Sequence, residues 1–245
     1  MTNYGQTALV QSLRFLAEKQ ASIANNLANV DTTAFKRRSA IAQEGNGFQS
    51  MLDEQLTTID YREVSDLQRG IIRETGRDYD VAIDGPQWMR VQDENGNRFF
   101  TRAGQLQLSP NGQLSTRDGM ALLDTSNQPI TLGSGDDTPS QIAISPNGSI
   151  SNPKTGQTFG QLALVNLPDA GQLVPQGRGL YVDPTDQPTT QASDGLQQHF
   201  LEGSNVDSLQ ELVQMITVER SFTATQKTLS GIGRMQENLI TNILR

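Results

Sequence analysis

Residues 23–38 read IANNLANVDTTAFKRR, and how this stretch closes a helix decides how the rest of the chain is organised. Upstream, Leu9, Leu13, Leu16, Gln20, Ile23, Leu27 and Val30 recur at alternating intervals of 4 and 3, the spacing of a heptad seam. Ala17, Ala21, Ala24 and Ala28 flank that seam with side chains small enough for close helix approach. A helix from Gly5 to Asn29 is a rod of about 40 Å. Asn25, Asn26 and Asn29 fall in its last turn and a half, where amides can satisfy leftover carbonyls or cross to a neighbouring helix. The expected division is Asn29 as the cap, with Asn25 and Asn26 as contacts between subunits. Asp31, Thr32 and Thr33 can bond their own backbone into a turn, and Phe35 supplies an apolar anchor. Lys36, Arg37 and Arg38 lie near the negative end of the helix, which favours them. Two readings stand: an elaborate helix stop, or a helix end that must match other helix ends.

The far end of the chain carries a matching pattern. Val218, Phe222, Thr225, Leu229, Ile232, Gln236, Leu239 and Ile243 step by 4 and 3, and Leu212, Met215 and Ile216 continue the apolar face upstream. Polar interruptions weaken both seams, so neither helix buries its stripe alone. They need each other, or further copies.

Between the two seams the period changes to two. Residues 80–91, 98–109, 119–124, 141–146, 160–167 and 179–184 read as short strands bounded by Gly, Pro, Asn and Asp. LSPNGQLS at 108–115 is echoed by ISPNGSIS at 144–151, and both are expected to be β-hairpin tips. Residues 40–75 read as a partly extended connector with at most one short helix, and 184–200 as a second polar connector. The expected fold class is α+β, with N- and C-terminal helices of coiled-coil type around a central all-β domain. Its expected segments are 1–38 (axial helix and turn), 39–74 (connector), 75–200 (β-rich domain) and 201–245 (C-terminal helix pairing with the first).

Composition narrows the function. The 245 residues are 35% hydrophobic and 5% aromatic, a thin supply of core. The net charge of −8 is uneven: 1–40 carry +3, 205–245 balance, and 41–204 carry −11. An acidic body of that kind argues against nucleic acid as a partner, and none is expected. There is no cysteine, hence neither a disulfide nor a thiolate metal site, and no run long enough to span a membrane. The first thirty residues lack the unbroken apolar run of a cleavable secretory signal. His199 is the lone histidine, which leaves a surface or interface role and no two-histidine metal site. Asp93, Asn95 and Asn97 imitate a calcium loop, but Arg98 stands where Gly is required and Gly104 where Glu is required, so DENGN reads as a hairpin tip. Asp78 with Asp80 and Asp136 with Asp137 are acidic turns. No catalytic, cofactor-binding or metal-ligating set emerges, and neither a cofactor nor a small-molecule substrate is expected.

The stretch 23–38 resembles the N-terminal signature of the axial proteins of the bacterial flagellum, the rod and hook family. LEGSNVDSLQELVQMITVERSF at 201–222 resembles that family's C-terminal signature, including Ser204, Asn205, Val206, Arg220 and Phe222. Residues 68–85, 100–114 and 118–123 are similar to its segment between connector and β-domain, whereas 125–200 match loosely. The resemblance implies a discontinuous architecture in which both terminal helices line a tube and the β-domain faces outward. It implies a structural, non-enzymatic subunit that polymerises helically and transmits torque from motor to hook in motility. It also implies type III export through the flagellum's own channel, a place in the periplasmic rod, and as partners copies of itself, neighbouring rod proteins and the export apparatus. The chain is not expected to insert into the membrane. The assembly interface is expected to comprise the seam residues, Asn25, Asn26, Asn29, Phe35 and the 201–222 residues just named. Within the family, the short segment from Phe35 to Asp80 and GPQWMRV with Trp88 are similar to the proximal-rod form, with a distal rod or hook-type protein as the alternative. Two positions depart from the family pattern: Ala34 replaces the usual glycine, so a positive φ there costs more, and Pro86-Gln87 replaces Gly-x-Gly. From other classes, a peptidoglycan-acting enzyme of rod assembly and an extracellular β-domain adhesin remain in competition.

Overall fold

A computed structural model describes residues 2–44, 59–133, 139, 141–185, 189–192 and 194–243. The architecture is α+β: a helix at each end of the chain and a β-rich body between. In chain order the elements are α1 (Thr2–Ala28), β1 (Arg38–Glu44), β2 (Ile59–Ser65), β3 (Ile72–Glu74), β4 (Val81–Ile83), β5 (Trp88–Gln92) and β6 (Arg98–Thr101). Then come β7 (Leu106–Leu108), β8 (Leu114–Thr116), β9 (Ala121–Leu122), β10 (Ala143–Ile144), β11 (Ser149–Ser151), β12 (Thr158–Gln161) and β13 (Leu164–Asn166). A 3-10 turn at Ala170–Gln172 precedes β14 (Val174–Gly177), β15 (Leu180–Val182), β16 (Thr190–Gln191), β17 (Leu196–Gln198), β18 (Phe200–Glu202) and α2 (Ser208–Ile243). The chain divides into two compact units, one of residues 1–30, 37–66 and 206–245, the other of 31–36 and 67–205.

The first unit holds α1, α2 and the antiparallel pair β1–β2, in register from Arg38 opposite Ser65 to Glu44 opposite Ile59. Residues 39–74, expected as a connector, thus supply β1, β2 and β3; of the stretch 40–75, where at most one short helix was expected, 45–58 lie outside the described residues. Helix α1 ends as its asparagines dictate. The Asn29 amide donates to the Asn26 carbonyl at 3.1 Å, tightening the last turn, and Asn29 Nδ2 donates to the Asn25 carbonyl at 2.9 Å. Helix α2 starts on an Asp207 cap, whose Oδ1 accepts the amides of Leu209 at 2.9 Å and Gln210 at 3.1 Å.

The second unit is built on a nine-stranded antiparallel sheet with the path β14-β15-β6-β5-β9-β8-β7, to which β13 adds on β5 and β16 on β13. A three-stranded sheet β10-β11-β12 and the pairs β17–β4 and β18–β3 complete it. Alternating apolar residues close one main core, including Val81, Met89, Leu106, Leu114, Ile150 and Leu164. A smaller cluster gathers Trp88, Val165, Leu173 and Tyr181, the Trp88 and Tyr181 rings meeting edge to face with centroids 5.0 Å apart.

The two SPNG hairpins are the same object twice. Ser109 donates its amide to Gln113 and Gly112 to Ser109, as Ser145 does to Ser149 and Gly148 to Ser145. The glycines sit at φ 76° and 85°. Each glycine carbonyl then accepts a leucine amide at 2.9 Å, Leu132 in one copy and Leu162 in the other. The echo in the sequence therefore encodes the same hairpin twice, each with its glycine carbonyl taken by a leucine amide from further along the chain. DENGN also closes a hairpin: Asp93 accepts from the amides of Asn95 and Asn97 and from Asn97 Nδ2, and those bonds hold its carboxyl below the usual carboxylate range.

Ala34 keeps the positive φ that its glycine counterparts would adopt, 55°, and is 2% exposed. A branched side chain cannot take that conformation without strain, whereas glycine takes it freely at the loss of one buried methyl. Ala34→Val is expected to destabilise the second unit by about 2 kcal/mol or more, and Ala34→Gly to stay within about 1 kcal/mol of the parent. Urea melts followed by the fluorescence of Trp88, the one tryptophan of the chain, test both.

Candidate functional site

The two terminal helices run antiparallel. Gln6 Nε2 donates to Gln236 Oε1 at 3.0 Å near one end of the pair, and Asn26 Nδ2 to Glu211 Oε2 at 3.2 Å near the other. Along the seam, Ile23 and Val218 are buried, and Leu9, Leu13, Leu16, Leu27, Val30, Met215, Phe222, Leu229 and Ile232 are half-buried. The backbones of Leu239 and Ile243 continue α2, but their side chains lie outside those described.

Upstream of Val218 the seam departs from the apolar reading. Leu212 and Ile216, expected to continue the buried face, are exposed at 49% and 51%. The reason is angular: counting back from Val218 by 3 and then 4 reaches Met215 and Glu211, whereas Leu212 and Ile216 lie on the far side of the helix. Glu211 is accordingly 0% exposed. Its Oε1 accepts from Arg37 Nε at 2.5 Å and its Oε2 from Asn26, so the buried carboxylate is paired. Arg37 also reaches Ser39 Oγ and Gln214 Oε1.

Asn26 is likewise 0% exposed. Its Oδ1 accepts the Arg38 amide at 2.8 Å and its Nδ2 donates to the Arg38 carbonyl at 2.8 Å, so the side chain pairs with both backbone groups of one β1 residue as a neighbouring strand would. Ser22 Oγ donates to the same carbonyl. This corrects the expectation that Asn26 bridges subunits: its amide is spent inside the chain. Asn25 is exposed. Phe15 stacks on Tyr61 at 5.7 Å, and Tyr61 donates its hydroxyl to the Gln11 carbonyl.

Helix α1 is thus covered on two sides, by α2 and by the β1–β2 pair. On its third side Ala17, Ala21, Ala24 and Ala28 are all exposed. Helix α2 has a counterpart in Thr217, Ser221, Ala224, Thr228, Gly231 and Met235, again at steps of 4 and 3 and all exposed. The Thr217, Ser221 and Thr228 hydroxyls donate to carbonyls one turn back, so this face carries no charge and no hydroxyl lacking a partner. Leu209, Val213, Leu212 and Ile216 add an open apolar patch at the start of α2, Leu209 at 70% and Val213 at 57%. Arg220 is exposed. Phe35 and Val206 are buried and Ser204 and Asn205 half-buried; Phe35, Ser204 and Asn205 belong to the second unit.

His199 Nδ1 lies 3.8 Å from Asp78 Oδ1, too far for a hydrogen bond. Among the described residues no group of three or more His, Asp or Glu is placed to hold a metal ion, and no helix is long and apolar enough to cross a membrane.

Comparison with known proteins agrees with the geometry. The family described as the flagellar hook protein FlgE/F/G D1 domain matches residues 82–152, and the flagellar basal body rod FlgEFG protein C-terminal family matches 197–242. The flagellar basal-body rod protein FlgG of Buchnera aphidicola subsp. Schizaphis graminum is 33% identical over 248 residues, covering 89% of this chain and 91% of that protein. The chain belongs to the flagellar basal-body rod protein family. FlgF rod proteins match as well: that of Rhizobium meliloti at 30% over 229 residues (89% of this chain, 88% of that one), and that of Caulobacter vibrioides at 26% over 228 (90% of each). The resemblance carried by the two ends of the sequence is borne out, and the rod family supplies relatives under both names.

Asn26→Ala is expected to cost about 2–3 kcal/mol, because it leaves the Arg38 peptide and Glu211 short of partners in a buried setting. Asn25→Ala is expected to stay within about 0.5 kcal/mol of the parent. Thermal melts of the monomer by circular dichroism at the helix band measure the contrast.

Proposed function

We propose that this chain is a structural subunit of the flagellar basal-body rod, acting by assembly and not by catalysis. The observation that carries the reading is the pair of open, uncharged heptad stripes. The α1 stripe sits one residue after its seam position and the α2 stripe one residue before its own. In an antiparallel pair those offsets turn the two stripes to opposite faces, since each residue step rotates the helix by 100°. A face of one copy then meets a different face of the next, a heterologous contact that propagates without closing on two-fold symmetry. Small residues let the helices approach closely, and the open patch around Leu212 and Ile216 adds apolar area to be covered.

The remaining parts of the reading rest on family membership: torque passed from motor to hook, export through the flagellum's own channel, and a place in the periplasmic space beside other rod proteins. Within the rod we favour the proximal position, on the short segment from Phe35 to Asp80 and on Trp88 in GPQWMRV.

Ala24→Glu and Thr228→Glu each place a charge on an open stripe. Both are expected to leave the monomer melt within about 0.5 kcal/mol and to abolish motility. In a strain deleted for the parent gene, basal bodies isolated from cells expressing either variant are expected to stop at the rod. Motile cells with complete rods containing the variant would overturn the stripe as the contact. A deletion strain with intact rods would overturn the rod assignment itself.

A further inference from the structure

The second unit contains a cluster of buried charge that the assembly surfaces do not use. Glu202 at the end of β18 is 0% exposed, Lys36 1% and Arg102 4%. Glu202 Oε1 accepts from Lys36 Nζ at 2.6 Å and from the Gly70 amide at 3.1 Å, while Oε2 accepts from Arg102 Nε at 2.9 Å and from Nη2 at 2.8 Å. Arg102 donates its remaining protons to the carbonyls of Ile83, Gly85 and Gln87, and Lys36 donates to the Gln68 carbonyl.

Backbone bonds tie the same segments. The Ala34 amide donates to the Glu202 carbonyl at 2.8 Å, the Asn205 amide to the Phe35 carbonyl at 3.3 Å, and the Gly203 amide to the Ile71 carbonyl at 2.8 Å. Gly70 passes so close to residue 203 that a Cβ on it would stand 2.0 Å from the Gly203 carbonyl oxygen. Residues 31–36, 67–72 and 202–205 are the stretches by which the second unit connects to the sequence of the first, and one carboxylate gathers all three together with Arg102.

We propose that Glu202 is a closing latch: the β-rich unit completes its fold only when residues 31–36 and 202–205 are both in place around Arg102. The physical reason is charge. Without Glu202, Lys36 and Arg102 are two cations in a site that excludes water, and a buried charge stripped of its partner is strongly destabilising. The β-sheet and the three connecting stretches therefore open as one cooperative unit. A chain delivered end first, from a ribosome or through a channel, cannot close this unit until its passage is nearly complete, because the two ends of the latch lie 166 residues apart.

The test uses the full chain. Native-state hydrogen exchange in rising urea is expected to show the Ala34, Gly70 and Asn205 amides opening with the same free energy and urea dependence as the sheet amides of Leu106 and Leu114. Glu202→Gln is expected to lower the Trp88-monitored urea midpoint by about 1–2 M. Latch amides that exchange at markedly lower urea than the sheet amides would overturn the proposal. So would a Glu202→Gln midpoint equal to that of the parent. Should that variant fail to fold, the exchange measurement on the parent protein still decides.

Discussion

Each terminal helix carries an apolar stripe, and neither can hide its stripe without the other. That constraint organises the chain. It forces residues near position 20 to find residues near position 220, so the intervening sequence must leave and return as one excursion. Closing a loop of that length costs entropy that grows only slowly with length, whereas an amphipathic helix gains most of its stability from the packing of its apolar face. The pairing therefore stabilises the helix of 27 residues at one end and that of 36 at the other.

Apolar seams of Leu, Ile and Val tolerate sliding by one heptad, and polar groups inside them do not. Glu211 buried against Asn26 and Arg37 sets the register of this pair, since a slip of seven residues would strand a buried carboxylate. Gln6 with Gln236 repeats the constraint near the other end. Asn26 does a second task with the same amide by holding the Arg38 peptide, so helix pairing and the placement of β1 depend on one side chain.

Much of this was legible in the sequence, and the boundary of legibility has a physical cause. Intervals of 4 and 3 located both helices and the inward positions from Leu9 to Val30 and from Val218 to Gln236. Alternation located β4, β6, β7, β13 and β15, and Pro-Asn-Gly located two hairpin tips, whereas β1, β2, β3, β16 and β17 lie in stretches that read as polar connectors. Hydrophobicity then misled at Leu212 and Ile216, because apolar character was followed in place of angle; strict spacing would have pointed to Glu211. The Glu202, Lys36 and Arg102 cluster left no local signal, since its members lie 66 to 166 residues apart and charged residues read as surface until a partner is seen. Asn26 was singled out for the right reason, an amide with unmet bonds at a helix end, and placed with the wrong partner. Sequence alone does not say whether an amide will find its own chain or another.

The open stripes explain a choice of residue that stability of the single chain does not. A helix surface meant for water is normally lined with Glu and Lys, which solvate it and add i,i+4 pairs. Along α1, Ala17, Ala21, Ala24 and Ala28 keep charge away from one face, and along α2 Thr, Ser, Ala and Gly do the same while the hydroxyls bond their own helix. Covering such a face with another helix strands no ion and leaves none of those hydroxyls without a partner, so the cost of desolvation is low. The gain per contact is also modest, because small side chains bury little area. The balance suits a face that another helix can cover, with a small contact energy at each side chain summed over the length of the stripe.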